Sequence, residues 1–294
     1  MNDTDDMAHQ EQTGVERPSL YVVATPIGNL ADITLRALAV LKRVDVIAAE
    51  DTRFTLRLLK HHGINARLIA MHEHNERNAA EKIVQLLAQG KSVALVSDAG
   101  TPAISDPGAL AVAAVRAAGF PVVPVPGPNA ALCALSAAGL AVPHFLFYGF
   151  LPQQGAARRR ELATLESLPY LLVFYEAPHR VVASVADLGM VLGATRTITF
   201  ARELTKIFET IHTCPLGDAA GWLTEDANRT KGEFVLLVEG APTRVNPDAG
   251  AAKRVLMALM RELPLKQAVK LTGEITGSRK NDVYAMALDL KKAQ

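Results

Sequence analysis

The sequence predicts an α/β protein with two sheets and a helical end. Three observations carry that expectation. Between Leu20 and Val125, short apolar runs alternate with helix-period stretches, the pattern of a parallel sheet covered by helices. Beyond about residue 128 the alternation changes. Two strand-like runs there are joined only by Arg202-Glu203-Leu204-Thr205-Lys206, too short for a crossover helix, so that pair is antiparallel. Finally, the chain has 294 residues and is 49% apolar, enough for one large or two medium cores. The expected divisions are a disordered tail at 1–18, an N-terminal α/β domain at 19–127 with a parallel sheet, a second α/β domain at 128–241 with a mixed sheet, and a helical extension at 250–294.

Each element has a local reason. Met1 to Arg17 is polar and acidic, with neither a basic start nor an apolar core, so it reads as a tail and not as a signal peptide. The first strand, Leu20 to Ala24, runs into Thr25-Pro26-Ile27-Gly28-Asn29, and a helix opens at about Asp32. The glycine spacing there is not G-x-G-x-x-G, and no G-x-x-x-x-G-K-[ST] occurs. Nicotinamide-dependent and nucleotide-hydrolysing classes are therefore disfavoured. The second strand, Val44 to Ala49, ends in Glu50-Asp51-Thr52-Arg53. Residues just past the carboxyl end of a parallel strand face a ligand crevice, although Asp51 or Thr52 also suits the N-cap of the next helix.

A short strand at Arg67 to Ala70 precedes the cluster Met71 to Arg77. Its His72-x-His74 pair lacks a third ligand at recognisable spacing, so a polar crevice wall is the expectation and no metal is assigned. A helix from Asn78 to Ala88 stops at Gly90. The strand Val93 to Val96 then leads into Ser97-Asp98-Ala99-Gly100-Thr101-Pro102-Ala103-Ile104-Ser105-Asp106-Pro107-Gly108. Small residues and turn formers let a backbone approach a polar, nucleoside-like ligand there, or alternatively build a tight structural loop. A helix to Ala118, the strand Val122 to Val125 and the turn Pro126 to Ala131 place a third loop on the same sheet edge. In the second half, Phe145–Gly149, Leu171–Tyr175, Thr197–Ala201, Ile207–His212 and Glu233–Glu239 read as strands. Pro242 to Ala249 reads as a linker before two or three helices.

Several classes are set aside by composition. Ala117 to Pro143 is uncharged, but prolines at 121, 124, 126 and 128 break it, so it is no membrane span. Cys133 and Cys214 lie in unrelated contexts and fit a reducing cytoplasm. Net charge is +1, yet the chain from Ala251 onward carries nine Lys/Arg against four Asp/Glu. A basic end on a near-neutral body points to a polyanion partner, or to a solvated helical tail.

Taken together, the loops resemble a known family. Leu20 to Leu30, Ala49 to Arg53, Ser97 to Gly108, Val125 to Ala130, Phe174 to Arg180 and Ala201 to Lys206 are similar, in order, to motifs of the bacterial ribosomal RNA small subunit methyltransferase I family. That family belongs to the tetrapyrrole-methylase fold group, the class III methyltransferases. The resemblance covers about residues 19 to 290. It implies 2′-O-methylation of a cytidine in the decoding region of 16S ribosomal RNA, S-adenosylmethionine as donor, two α/β domains with the donor folded between them, and a homodimer. It also implies donor contacts at Pro26, Ile27, Ser97, Asp98, Ala99, Thr101, Asn129, Ala130, Tyr175 and Glu176. Ala24-Thr25-Pro26 and Ser97-Asp98-Ala99 depart from the wider fold group in the way the ribosomal RNA branch does, which argues against a tetrapyrrole substrate.

Methyl transfer needs an in-line arrangement and an outlet for the hydroxyl proton. Glu50, Asp51, His72, His74, Glu176, His179 and Glu203 are the candidate bases. Asp51 has the best position and Glu203 the second, with Arg53 beside them in the catalytic set. Alternatively, these acids pair with Arg53, Arg180 and Arg202 as scaffolding and the proton leaves to water. RNA contacts are expected from Arg53, Arg180, Arg202, Lys206, the run Arg158-Arg159-Arg160, and a C-terminal turn bearing Arg279 and Lys280. The expected partner is 16S ribosomal RNA within the small subunit, in the cytoplasm, with no DNA and no membrane. The competing readings are a small-molecule methyltransferase of tetrapyrrole type and a non-enzymatic RNA-binding assembly factor.

Overall fold

The structure is a computed structural model that describes residues 18–242 and 249–292. The tail expected at 1–18 lies outside the described residues apart from Pro18, as does most of the linker expected at 242–249. The chain divides into two compact units, Met1–Gly240 and Ala241–Gln294.

The first sheet holds β1 (Leu20–Val23), β2 (Val46–Ala49), β3 (Arg67–Ala70), β4 (Val93–Val96) and β5 (Val122–Val125), all parallel, in the order β3-β2-β4-β1-β5. β2 and β4 are central and buried at every position, which is why they read as unbroken apolar runs. Pro124 cannot donate to a ladder and sits in the edge strand β5, where that donor is dispensable.

Helices cover both faces. α1 (Leu35–Arg43) and α2 (Thr52–His61) pack Ala37, Val40, Leu41, Leu58 and Leu59 on Tyr21, Val23 and Ile47. α3 (Glu76–Ala88) and α4 (Ala109–Ala117) pack Ala79, Ile83, Leu86, Ala111 and Val115 on Leu20, Val46 and Leu95. α1 begins three residues later than expected. Asn29 first caps a short 3₁₀ turn, and Thr34, which accepts from Ala37 N at 3.1 Å, then caps the α-helix. From β1 the chain crosses through α1 toward β2; from β4 it crosses through α4 toward β5, on the opposite face. The carboxyl ends of β1 and β4 are thus a topological switch point, where open α/β sheets leave a crevice.

The second sheet is mixed. It contains β6 (Phe145–Phe150), β7 (Leu171–Glu176), β8 (Thr197–Arg202), β9 (Thr210–Pro215) and β10 (Phe234–Val238), in the order β6-β7-β10-β8-β9. β6 and β7 are parallel, and the other pairs are antiparallel. Phe174, Phe200 and Leu236 face α6 (Gly155–Leu165), α7 (Val181–Leu192) and α8 (Leu216–Glu225). The opposite face, with Val173, Ala201 and Val235, takes α5 (Ala130–Ala137) and Ile27 from the turn after β1. One face of the second sheet therefore looks toward the switch point of the first.

Two expectations change here. The strand expected at Ile207–His212 lies three residues further on. Glu203 and Thr205 adopt left-handed backbone (φ 53° and 65°), Lys206 N donates to Glu203 O, and Glu209 N donates to Lys206 O, so the chain turns before it pairs. Ile207 and Phe208 are left exposed on that turn, at 94% and 70%. The expected Arg158-Arg159-Arg160 patch is not a free basic surface either. Arg158 is buried and bonds Asp187 of α7 through Nε at 2.7 Å, and Arg159 bonds the same carboxylate at 2.9 Å. Arg160 is exposed and has no such partner among the described residues.

In the second unit, α9 (Ala249–Glu262), α10 (Leu265–Thr276) and α11 (Lys280–Lys292) enclose a small core of Leu256, Ala268, Val269, Val283 and Ala287. Gly277, in the left-handed region at φ 68°, ends α10, and Arg279 and Lys280 are exposed at the turn. Among the described residues, no helix is long and apolar enough to cross a membrane.

Candidate active site

Four loops at the carboxyl edge of the first sheet are braced against one another by short polar contacts. Thr25 and Gly100 exchange backbone bonds at 2.8 and 3.0 Å, and Thr25 Oγ1 donates to Ser97 O at 3.1 Å, which joins the loops after β1 and β4. Asp51 N donates to Asp98 Oδ1 at 2.9 Å and Asp98 N to Glu50 Oε2 at 3.3 Å, which joins those after β2 and β4. Thr101 Oγ1 donates to Pro128 O at 3.1 Å, bringing in the turn before α5. Gly100 supplies φ 81° at the centre of this arrangement.

These loops and the facing side of the second sheet enclose a cavity of about 420 Å³, within the range of small-molecule sites. From the first sheet's edge it is lined by Ile27, Glu50, Asp98, Ala99, Thr101 and Asp106; Asn129 and Ala130 follow from the start of α5. From the second sheet come Phe150, Tyr175, Glu176, Leu204, Glu233 and Val235. Asn129 caps α5 by accepting from Leu132 N, and Ala131 N donates to Tyr175 Oη at 3.2 Å, so one helix start is held from both sides.

Eight of the ten expected donor contacts line this one cavity: Ile27, Asp98, Ala99, Thr101, Asn129, Ala130, Tyr175 and Glu176. Pro26 and Ser97 are absent from the lining; Ser97 is buried behind it, its hydroxyl 3.4 Å from Ala99 O and Gly100 O. None of the expected catalytic set, Asp51, Arg53 and Glu203, lines it. Asp51 caps α2 and bonds the guanidinium of Arg53, which holds its carboxyl down to about 2, while Arg53 itself is 84% exposed. Glu203 bonds Lys206 Nζ at 2.9 Å and accepts from Glu233 N, contacts that draw its carboxyl below the usual range against the opposing effect of burial. Arg202 is also no surface cation. Its guanidinium bonds the carbonyls of Asn228, Lys231 and Phe208 and so ties two loops together.

The charge of the cavity is one-sided. Glu50, Asp98, Asp106, Glu176 and Glu233 line it, and among the described residues no lysine, arginine or histidine does. Burial raises the carboxyls of Glu50 and Asp98, and each also feels the charge of neighbouring acids. Burial and the charges of Glu50 and Asp98 push Asp106 up to about 7. Glu176 is 2% exposed. Its Oε1 accepts from Arg180 Nε and Ala177 N, while its Oε2 is buried with no partner. A buried carboxylate oxygen without a donor is costly unless a ligand supplies one. The cavity as a whole favours a cationic ligand with hydrogen-bond donors and disfavours phosphate.

Among the described residues, four non-glycine positions have left-handed backbone: Ala103 and Ser105 after β4, and Glu203 and Thr205 after β8. They lie in two loops that contribute to opposite walls of the cavity. Sequence reasoning missed Phe150, Glu233 and the placement of Asp106. Phe150 and Glu233 carry no loop motif; the setting of Asp106 depends on Glu50 and Asp98, which local spacing does not bring together.

Comparison with known proteins bears on the family and the fold. Residues 19–220 match the family described as Tetrapyrrole (Corrin/Porphyrin) Methylases, and residues 246–291 match the RsmI C-terminal HTH domain. The chain is 51% identical over 283 residues to the Ribosomal RNA small subunit methyltransferase I of Escherichia coli O157:H7, covering 96% of this chain and 99% of that one. It is 51% identical over 272 residues to the protein of the same name from Pseudomonas aeruginosa, covering 92% and 96%. Among solved structures it resembles the methyltransferase CobJ, with a TM-score of 0.58, 22% identity and coverage of 76% and 95%. It also resembles a uroporphyrin-III C-methyltransferase from Thermus thermophilus complexed with S-adenosylhomocysteine, with a TM-score of 0.53, 18% identity and coverage of 74% and 96%. At these identities the two structures speak for the fold alone.

Proposed function

The chain belongs to the tetrapyrrole methylase family, in its ribosomal RNA small subunit methyltransferase I branch, and from that premise we propose that it transfers a methyl group from S-adenosylmethionine to a ribose 2′-hydroxyl of 16S ribosomal RNA, at a cytidine of the decoding region. The observation that carries the reading is the cavity at the switch point, with five carboxylates and, among the described residues, no basic side chain. It suits a cationic donor. It also suits an acceptor that presents a nucleoside while its phosphates stay outside. The names of the relatives supply the acceptor class.

The donor, when bound, supplies a reactive methyl on a positively charged sulfur. The protein's work is binding and alignment. Glu176 Oε2 and Asp98 offer acceptors to the donor's polar groups, and Ile27, Phe150, Tyr175 and Val235 exclude water. Pro26 and Ser97 support the walls from behind. Asp51 and Arg53 act at the rim, where the exposed guanidinium offers a contact to an RNA phosphate. Glu203 holds the loop that carries Leu204. In this reading the two sheets are separate domains, 19–127 and 128–241, with the helical extension at 250–294. Exposed Lys266, Lys270, Arg279 and Lys280 on that extension support a polyanion partner. The site of action is the cytoplasm, where small subunits are found.

Incubating the protein with labelled S-adenosylmethionine and small subunits lacking the modification should place label in 2′-O-methylcytidine, read by nucleoside mass spectrometry. Transfer to a tetrapyrrole instead would mark a small-molecule enzyme. Donor binding without any transfer would point to another acceptor or a missing second modification, and no donor binding would leave an assembly factor.

The reading includes a homodimer, supported by Ile207 at 94% and Phe208 at 70% exposure, large apolar side chains that a lone chain leaves in water. Light scattering should give the mass of two chains, and Ile207→Asp with Phe208→Asp should reduce it to one. A wild type that runs as a single chain at micromolar concentration would refute the dimer.

A further inference from the structure

We propose, resting on the methyl-transfer reading, that Asp106 is the proton acceptor for the ribose hydroxyl: its carboxylate, fixed in the cavity wall by the loop after β4, takes the 2′-hydroxyl proton as the oxygen–methyl bond forms. The hydroxyl oxygen gains the methyl carbon, and the carbon–sulfur bond breaks with its electron pair staying on sulfur, which becomes a neutral thioether. The proton passes to the Asp106 carboxylate and then to solvent.

The geometry supports this role in three ways. First, Asp106 is held rigidly. Ser105 (φ 65°) and Gly108 (φ 141°) flank it, and Gly108 N and Leu110 N both donate to Glu76 Oε1, at 2.8 and 3.0 Å, so the turn is anchored on α3. Second, its partners leave it available. Asp51, Glu176 and Glu203 each hold a basic side chain, whereas Asp106 pairs with none among the described residues. The groups facing it are Glu50 from the end of β2, Asp98 and the Ser97 hydroxyl from its own loop, and Tyr175 from β7. Third, the same cavity contains the buried, unpartnered Oε2 of Glu176, an independent sign that a ligand with a donor group belongs there. Ligand holding is thereby assigned to Glu176 and proton acceptance to Asp106.

The environment also tunes the group. Burial first, then the charge of Glu50, push the Asp106 carboxyl up to about 7, with Ser97 pulling the other way and Asp98 adding to the rise. A general base works best with its pKa near the operating pH. The sign for stability follows. In the window between the ordinary carboxylate range and about 7, the folded protein keeps a proton that the unfolded chain releases, so stability falls as pH rises through it.

The test is single-turnover methyl transfer to small subunits between pH 5.5 and 9. Wild type should show a rate that rises with pH and levels off above about 7. At saturating S-adenosylmethionine, Asp106→Asn should lower the plateau about 10²–10⁴-fold and lose that limb, a loss that weaker donor binding alone would not produce. Its melting temperature should exceed that of wild type at pH 8 and lose that advantage at pH 4. Should Asp106→Asn fail to fold, Glu50→Gln serves: removing the neighbouring charge should move the wild-type limb to lower pH. A limb unmoved by Glu50→Gln, or Asp106→Asn that keeps the limb or the rate, overturns the role of Asp106 while wild-type transfer preserves the methyl-transfer reading. Absence of transfer by wild type at every pH overturns both.

Discussion

Replacing Asp187 by alanine should unfold the protein more readily than any surface change, lowering stability by about 3–5 kcal/mol. Asp187 is 6% exposed on α7 and receives Arg158 Nε at 2.7 Å and Arg159 Nη1 at 2.9 Å. The side chain of Arg158 is 5% exposed, and its Nη1 also donates to the carbonyls of Pro152 and Gln153. Removal of the carboxylate leaves a desolvated guanidinium with carbonyls alone. For a chain of this size the melting temperature should fall by on the order of 10 °C. Thermal unfolding at low and high salt is the check. A loss below about 1 kcal/mol would mean that water reaches Arg158 when Asp187 is gone. Arg158→Met with Asp187→Leu, which removes both charges, should recover most of the loss.

The second large effect is on binding. Glu176→Gln should weaken donor affinity about tenfold or more while the fold persists. The residue lines the cavity and its carboxylate is buried; one oxygen is occupied by Arg180 and Ala177 N, and the other has no partner. The amide keeps the shape but halves the acceptor capacity and removes the charge that complements a cation; hydrogen bonds to charged groups contribute about 1.5–3 kcal/mol. Calorimetric titration with S-adenosylmethionine is the measurement, and an unchanged Kd would remove Glu176 from the donor site.

Much of this was legible in the sequence, and the limits follow from what local pattern encodes. β2 and β4 read as buried strands because every residue in them is apolar, and the loops after them read as ligand-facing because parallel strands present their carboxyl ends to a crevice. Eight of the ten expected donor contacts line one cavity, and three of them, Asp98, Ala99 and Thr101, follow β4 for that reason. What failed was non-local. Arg158 reads as part of a basic run until Asp187, 29 residues later, folds back on it. Arg202 reads as a cleft cation until the carbonyls of Asn228 and Lys231 close over it. Ile207 and Phe208 read as strand because they are apolar, yet the left-handed turn at Glu203 and Thr205 spends those residues on a bend. Asp51 attracts notice as the acid beside an arginine, but that arginine neutralises it, while Asp106, one of several polar residues in its loop by sequence, acquires its character from burial and from Glu50 and Asp98.

The left-handed backbone at Ala103, Ser105, Glu203 and Thr205 sets two kinds of selection against each other. Each such residue holds roughly 1–3 kcal/mol of strain that glycine would relieve. A lineage, or a laboratory library, screened only for survival at high temperature is drawn to those four codons. Every step it takes there loosens one of the two loops that shape the cleft. Heat resistance gained in this way should therefore come with slower catalysis, and variants that escape the trade-off should be found in the helices far from these turns.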